Sequence, residues 1–263
     1  MLQSSALHRP GCAGRSVWLL LALVFALAGC AIDPDPAPPV PFDHAQSPDQ
    51  RYRLALRYLN ADGVPRDESQ AAQLLASAAE EGHPDAQALL ADAYAEGLGV
   101  EREPAWATMW YGRAAAQGQA DAQYRLAVAY ANGSGTDPDI VAAYRWLTIA
   151  AKAGHAEAAQ AREALAGRMI RQEIEPAQRA AKRWRPASDQ REPDEPLVRF
   201  VQFALKQLGY NPGPTDGVLG RRTLTAIAAF HRREKIRGSR ITPELVERLR
   251  ARLVQIQAAR TGG

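Results

Sequence analysis

The sequence predicts an all-α protein, in which an α-solenoid of paired helices is followed by a small three-helix bundle. The first observation behind this prediction is a 36-residue interval that separates Tyr58, Tyr94 and Tyr130. The glycines at 63, 99 and 135, those at 82, 118 and 154, and the alanine pairs at 78/79, 114/115 and 150/151 recur at the same interval. A fixed period of roughly 20–50 residues is typical of stacked repeats. The second observation is a later segment, residues 197–255, that contains three short apolar helix patterns.

Each unit of the repeat predicts two helices joined by a glycine turn. Ala86–Glu96 is rich in Ala and Leu at helical spacing, so it predicts the first helix. The glycines at 97 and 99 end that helix, because a tight turn needs positive φ angles. Glu103–Gln117 predicts the second helix, with an acidic residue at its positive end, and Gly118 stops it. The alanines allow the helices to approach closely, and we expect Trp110 and Trp146 to fill the remaining core space rather than to hold a ligand.

The motifs of this unit resemble a known repeat family. Gly-Leu-Gly-Val at 97–100, Met-Trp-Tyr at 109–111 and Gly-Gln-Ala-Asp-Ala-Gln at 118–123 resemble the Sel1-like repeats, relatives of the tetratricopeptide repeat. The first unit departs from the pattern, with Ala-Asp-Gly-Val at 61–64 and Leu74 in place of tryptophan, as suits an end repeat. The resemblance implies a curved helical solenoid that binds partner proteins and has no catalytic centre.

The N-terminal segment predicts export. Arg9 and Arg15 precede an apolar run at 17–28, which is too short for the roughly 20 residues of a membrane-spanning helix and fits a secretory signal. The run ends in Leu-Ala-Gly-Cys, which resembles the lipobox of bacterial lipoproteins. The resemblance implies that Cys30 carries a diacylglycerol, and Ala31 after it implies the outer rather than the inner membrane. The alternative is an ordinary secreted protein cut nearby, with an incidental cysteine.

The composition shifts along the chain predict its division. We expect a signal peptide at 1–29, a proline-rich tether at 30–48, a solenoid with a C-terminal capping helix at 49–186, a linker at 187–196, the three-helix domain at 197–255 and a tail at 256–263. Residues 155–187 predict continuing helix with a kink at Pro176, in which 156–167 supply the first helix of a next repeat and the remainder resembles the capping tail of such arrays. The chain has two cysteines, at positions 12 and 30. The processed chain would therefore have no thiol for a disulfide, for catalysis or for a cysteine–zinc site.

The C-terminal segment resembles the small three-helix peptidoglycan-binding domain that accompanies bacterial cell-wall enzymes. The resemblance rests on Leu-Lys-Gln-Leu-Gly-Tyr at 205–210, Asp-Gly-Val-Leu-Gly at 216–220 and the helix at 223–230. His231, where the family usually has glutamine, and the basic loop at 235–240 depart from it. The expected core positions are Val198, Val201, Leu205, Leu208, Leu224, Ile227, Phe230, Leu245 and Leu249, and Thr242 is expected to cap the third helix.

The candidate peptidoglycan contacts surround one loop. Tyr210, Arg221 and Arg222 are the stronger candidates, because a guanidinium can hold the free carboxylate of a stem peptide by two hydrogen bonds. Asp216 and Thr223 are included as candidates, but an Asp-Gly turn and a threonine at a helix start also have a purely structural explanation.

The charge is divided between the two regions. Residues 30–196 contain 17 Lys/Arg and 25 Asp/Glu, a net charge of −8, and residues 197–263 contain 13 and 4, a net charge of +9. A basic domain suits an acidic polymer. Nucleic acid is the alternative polyanion, but an exported chain would not meet it. The opposite charges also allow the two domains to dock on each other.

The sequence offers no catalytic constellation. The histidines are scattered, and His83 and His155 are explained by the repeat. There is no His-Glu-x-x-His run, no Gly-x-Ser-x-Gly elbow and no phosphate loop. We therefore expect no catalytic residue, cofactor or metal.

Three functions remain open from the sequence. The first is a non-enzymatic periplasmic lipoprotein that is anchored to the outer membrane, binds peptidoglycan and recruits a protein partner through its solenoid. The second is a regulator or accessory subunit of a cell-wall hydrolase or synthase. The third is a wall-degrading enzyme, against which the lack of a catalytic domain argues.

Overall fold

The structure is a computed structural model that describes residues 47–187, 194–238 and 240–261. Within these ranges the chain forms eleven α-helices and no strand, which confirms the all-α prediction. The helices are α1 (Pro48–Asn60), α2 (Glu68–Glu80), α3 (Pro84–Glu96), α4 (Pro104–Ala116), α5 (Ala120–Asn132), α6 (Ile140–Lys152), α7 (Ala156–Ala166), α8 (Arg171–Arg183), α9 (Glu195–Gln207), α10 (Arg221–Glu234) and α11 (Pro243–Thr261). The predicted signal peptide, Cys30 and the tether as far as residue 46 lie outside the described residues.

The helices α1 to α6 form three pairs, and α7 begins a fourth unit. The first helix of every unit starts one residue after a polar side chain that accepts a backbone N–H from the first turn. These caps are 36 residues apart, and they are Ser47, His83, Gln119 and His155. A cap satisfies one of the backbone donors that a helix N-terminus leaves open. The repeat period therefore equals the distance in sequence between the starts of successive first helices.

Backbone conformation and close packing together explain why the turn residues are glycines. Gly99 and Gly135 have φ angles of +68° and +69°, which favour glycine. A Cβ atom at Gly99 would collide with the carbonyl oxygen of Glu68, and one at Gly135 would collide with that of Pro104. Each turn therefore lies against the start of the second helix of the preceding unit. A side chain at either position would separate neighbouring repeats.

The repeated alanines form the centre of the solenoid. Ala78, Ala114 and Ala150 have no exposed surface. The larger residues that fill the core at equivalent positions are Leu74, Trp110 and Trp146, and all of them are buried. Burial of about 25 cal/mol per Å² of apolar surface is the dominant favourable contribution to such a stack. The first repeat uses leucine where the others use tryptophan and is still well packed.

The capping region differs from the prediction of one kinked helix. The helix ends at Ala166, and a new helix begins at Arg171, so the break lies at Gly167–Ile170 rather than at Pro176. Pro176 lies inside α8, in its second turn. A proline there removes one hydrogen bond of the second turn, but α8 continues through it to Arg183. The interruption expected at Pro176 therefore lies at Gly167–Ile170 instead.

Two helices also start inside the segments expected as tether and linker. Ser47 caps α1, which begins at Pro48, within the expected tether. Asp194 caps α9 by accepting the N–H of Leu197 at 2.9 Å, so residues 194–196 of the expected linker belong to the helix. An acidic cap followed by proline in the first turn is a helix-start signal. Residues 188–193 of the linker lie outside the described residues.

The C-terminal helices α9, α10 and α11 share one apolar core. Its most deeply buried members are Val201, Leu205, Ile227, Phe230, Leu245 and Leu249. Leu224, which we expected in this core, is 41% exposed, because the inward position at the start of α10 belongs to the buried Thr223. Thr242 caps α11 at the N–H of Leu245, as expected. The third helix is not short, however, and its 19 residues continue into the segment expected as a tail.

Candidate functional site

The loop before α10 is organised around a buried glutamine. Gln202 on α9 is 1% exposed. Its amide nitrogen donates to the carboxylate of Asp216 at 3.0 Å and to the carbonyl of Val218 at 3.0 Å, and it also lies 3.2 Å from the hydroxyl of Thr223. Its amide oxygen accepts the N–H of Gly217 at 2.9 Å. One side chain therefore satisfies both sides of the Asp-Gly turn.

Asp216 and Thr223 find their hydrogen-bond partners within this loop and in Gln202. Thr223 donates its hydroxyl to the carbonyl of Pro212 at 3.0 Å. Partial burial alone would raise the pKa of Asp216, but hydrogen bonds from the Val218 N–H and the Gln202 amide lower it below its usual value. Both residues therefore hold the loop in shape, which favours the structural explanation given for them above.

The other candidate contacts lie apart from this network. Arg221 and Arg222 are exposed in the first turn of α10, where Arg222 lies over Gly213. Tyr210 packs edge-on against Phe230, with 5.8 Å between the ring centroids, near the opposite end of α10. The structure thus joins Asp216 and Thr223 through Gln202 but does not bring all five candidates into one site.

Sequence reasoning missed Gln202. The signal was present, because a glutamine lies between Val201 and the apolar positions that follow, four residues after Val198 on an inward helix face. A polar side chain in such a position must find partners, since an unsatisfied buried amide costs free energy.

The C-terminal domain is docked on the solenoid, and Arg250 of α11 forms a bidentate ion pair across the interface. Its guanidinium donates to both carboxylate oxygens of Glu103 at 2.7 and 3.0 Å and to the Tyr94 hydroxyl at 3.3 Å. The guanidinium carbon also lies 4.4 Å from the ring centroid of Trp106. A bidentate ion pair over an indole combines charge-assisted hydrogen bonding with a cation–π contact.

The next repeat receives a second arginine at the equivalent place. Arg199 of α9 lies 5.1 Å above the ring of Tyr130 and 3.9 Å from the carboxylate of Asp139. Tyr130 and Asp139 follow Tyr94 and Glu103 by 36 residues. Burial raises the pKa of Tyr130 to about 12, so the ring stays neutral under the arginine.

A polar contact beside these arginines involves the turn of the third repeat. Asp137 accepts from Lys206 at 2.7 Å and from the hydroxyl of Thr215 at 2.6 Å. Burial alone would raise the pKa of Asp137, but the two hydrogen bonds and the positive charge of Lys206 lower it. Because Thr215 belongs to the loop around Gln202, one side of that loop faces the solenoid.

The helices α4 and α9 pack directly against each other. Gly112 lies under Pro196, and a Cβ atom at Gly112 would be 2.9 Å from the proline ring. Arg113 binds Asp194 at 2.8 Å, and a turn further along, the Ala187 N–H donates to the carbonyl of Ala116 at 2.8 Å. Trp106 meets Phe200 edge-on at 5.1 Å between ring centroids. The sequence left docking as a hypothesis from charge, and the structure places opposite charges and apolar rings in the same interface.

The other face of the solenoid has an open groove of about 510 Å³. Its carboxylates include Asp85, Asp121 and Glu157, which recur at the repeat period, and also Asp92. Asp92 accepts from the Tyr111 hydroxyl at 2.6 Å, and burial raises the pKa of Asp92 although that hydrogen bond opposes the shift. None of the lining residues takes part in the contacts with the C-terminal domain described above.

Within the described part of the chain, no three His, Cys, Asp or Glu side chains are grouped to hold a metal. No described helix is long and apolar enough to cross a membrane.

Comparison with known families agrees with this geometry. The sequence model described as "Sel1 repeat" matches residues 51–83, 84–119 and 120–155, the three helix pairs with the start of α7. Residues 51–155 belong to the Sel1 repeat family. The model described as "Putative peptidoglycan binding domain" matches residues 194–237, from the cap of α9 to just beyond α10. The Sel1 repeats are thus followed by a peptidoglycan-binding domain whose third helix, α11, lies past the matched segment.

Two solved structures illustrate the likeness. A Sel1 repeat protein from Oxalobacter formigenes is 38% identical over 44% of this chain and 87% of its own, with a TM-score of 0.42. A protective antigen present in uropathogenic Escherichia coli strains, which displays an SLR fold, is 22% identical over 52% of this chain and 37% of its own, with a TM-score of 0.44. No curated protein matches the sequence.

Proposed function

We propose that this Sel1 repeat protein is a non-enzymatic periplasmic lipoprotein that binds peptidoglycan through its C-terminal domain and recruits a protein partner through its solenoid. Cys30 would carry the lipid and hold the chain at the outer membrane. The observation on which the wall-binding half depends is the family match at residues 194–237. The net charge of +9 after residue 196 supports it, because peptidoglycan stem peptides carry free carboxylates.

Docking on the solenoid leaves cations available for the wall. Arg199, Lys206 and Arg250 face carboxylates of the repeats. Arg221 and Arg222 remain exposed at the start of α10. The basic character of the domain therefore supports two tasks, with different arginines for each.

Co-sedimentation with isolated sacculi tests the wall-binding half. The purified full chain should sediment with the sacculi, and added salt should weaken the binding, since exposed charges are screened. The R221A/R222A variant should bind more weakly at low salt. If the unaltered chain stays in the supernatant at low salt, peptidoglycan binding is wrong.

The lipid anchor has its own test. In cells, the chain should fractionate with the outer membrane, and its processed N-terminal residue should be a diacylated Cys30 by mass spectrometry. The C30S variant should leave the membrane fraction. An unmodified N-terminus elsewhere would indicate an ordinary secreted protein.

The open groove favours a partner-binding role for the solenoid, because its lining residues make none of the contacts with the C-terminal domain described above. A partner that is a cell-wall hydrolase or synthase would make this protein its regulator or accessory subunit. Cross-linking in cells from a photoreactive residue at Leu89, in the groove, should capture that enzyme, and recovery of wall material alone would argue against the regulator. Release of muropeptides by the purified chain alone would instead show an enzyme.

A further inference from the structure

A second surface of the C-terminal domain has the features of a ligand pocket. Helices α10 and α11 and the residues after α9 line an open pocket of about 260 Å³. Apolar side chains form much of its wall, and Tyr210, Arg233, Glu234 and Arg252 contribute its polar groups. Among the described residues, α10 makes no hydrogen bond, ion pair or ring contact with the solenoid, so docking leaves this side of the domain open.

The polar groups of the pocket carry a net positive charge. Glu234 is held by Arg252 through contacts of 2.8 and 3.0 Å and also lies 3.6 Å from Arg248, so two guanidinium groups neutralise one carboxylate. This fork fixes the position of Arg252, because a bidentate pair allows little rotation. Arg233 is exposed at the pocket and adds a further cation. The balance favours a ligand with a negative group.

Tyr210 adds an uncharged polar group to the wall of the pocket. Its hydroxyl is buried and has no hydrogen-bond partner in the described part of the chain. A buried hydroxyl without a partner costs free energy. An acceptor such as a carboxylate or a peptide carbonyl in the pocket would remove that cost.

We propose that this pocket binds the carboxylate end of a peptidoglycan stem peptide, with Arg233 and Arg252 holding the negative charge and Phe230 and Ile256 packing against the peptide side chain. This inference rests on the proposed function and assigns the ligand's chemistry and its place. Arg221 and Arg222 lie about 18 Å away along α10, given a rise of ~1.5 Å per residue, and would contact another part of the polymer.

Matched substitutions on both helices test the pocket. R233E should weaken binding of the full chain to sacculi by about tenfold, as expected for a contact residue next to a bound charge. R232E makes the same change one residue away, on an exposed side chain that does not line the pocket, and should change affinity by less than about threefold. A259F fills the pocket and should also weaken binding about tenfold, whereas A251F, exposed on α11 outside the pocket, should not.

A change in the peptidoglycan itself provides a second test of the pocket. Sacculi treated with an amidase keep the glycan strands but lose the stem peptides, and the full chain should bind them at least about tenfold more weakly. Equal binding to both materials, or equal losses from R233E and R232E, would overturn the pocket assignment and leave wall binding in place. No binding to untreated sacculi would overturn the proposed function and this inference together.

Discussion

The second and third repeats receive an arginine from the C-terminal domain at equivalent positions, yet they bind it differently. In the second repeat, Glu103 meets Arg250 at 2.7 Å, and their side chains are 13% and 17% exposed. In the third, Asp139 remains 3.9 Å from Arg199 and is 38% exposed. The same place in the repeat thus gives a close ion pair in one unit and a distant one in the next.

The cause is the competing task of the acidic residue. Asp139 accepts the N–H of Ala142 at 2.8 Å and caps α6. Glu103 precedes α4 at the equivalent position but makes no side-chain cap. Its extra methylene group and its free carboxylate allow it to reach Arg250. Glu103 therefore stabilises the neighbouring domain, whereas Asp139 stabilises its own helix.

The largest effect should come from E103Q. It replaces the buried carboxylate partner of Arg250 by a neutral amide and leaves only the exposed Glu247, at 3.0 Å, as a charged contact. It should lower the free energy of unfolding by about 2 kcal/mol, less than for a fully buried pair. Urea denaturation measures the total loss of unfolding free energy. Hydrogen exchange of the α11 amides shows whether that loss comes from weaker docking of the C-terminal domain. A loss below about 0.5 kcal/mol would mean that the pair behaves as a surface ion pair.

An intermediate effect is expected from D139A, through the helix rather than the interface. Loss of the cap of α6 should cost about 1 kcal/mol, while D139N, which keeps a capping oxygen, should stay within about 0.5 kcal/mol of the unaltered chain. Urea denaturation of both variants separates the contribution of the helix cap from that of the negative charge. If D139N proves as costly as E103Q, the two repeats bind their arginines in the same way, and the comparison fails.

The smallest effect concerns Asp137, which has an exposed glutamate, Glu101, at the equivalent position of the second repeat. Because docking lowers the pKa of Asp137, its contribution to stability is complete above its unfolded value, near 3.9, and is lost as the pH falls through the lower folded value. D137N should remove about 0.5 kcal/mol or less at neutral pH and have little effect well below pH 3.

Denaturation curves between pH 7 and pH 2.5 measure this difference, with E101Q as the matched control. E101Q should follow the unaltered chain at every pH, since no contact of Glu101 with the C-terminal domain is present among the described residues. A D137N deficit that grows on acidification would reverse the sign and contradict the contact with Lys206 and Thr215.

The periodic part of the fold was predictable because each repeat solves the same local problem. The caps, the turn glycines and the buried alanines depend on neighbours within about one period. The role of Gly99 or Ala114 can therefore be inferred from the nearby sequence. The end of α7 was predictable from the repeat, but the start of a new helix at Arg171 was not, and this start is what places Pro176 in a second turn. Local rules correctly identify a proline as unfavourable inside a helix, but they do not show where the helix that contains it begins.

The interface and the candidate site were less predictable, because they depend on pairs distant in sequence. Arg250 and Glu103 are 147 residues apart, and nothing near either residue indicates the other. Charge counting indicated that docking was possible but not which arginines would be used. Gln202 was missed for a similar reason, since its partners belong to a loop that follows α9 and folds back over it.

The two contacts at the end of α4 have a consequence for the integrity of the chain. Ala187 is held by the carbonyl of Ala116, and Asp194 is held by Arg113 on the same helix. The polypeptide thus leaves α4 and returns to it within a few residues, so both sides of this segment are held by the same helix. A protease that cut there would leave two fragments in one complex, and the fragments, expressed as separate chains, should reassemble through the packing of α4 against α9 and the Arg113, Arg199 and Arg250 contacts, with a weaker affinity than the connected chain because the peptide link raises the effective concentration.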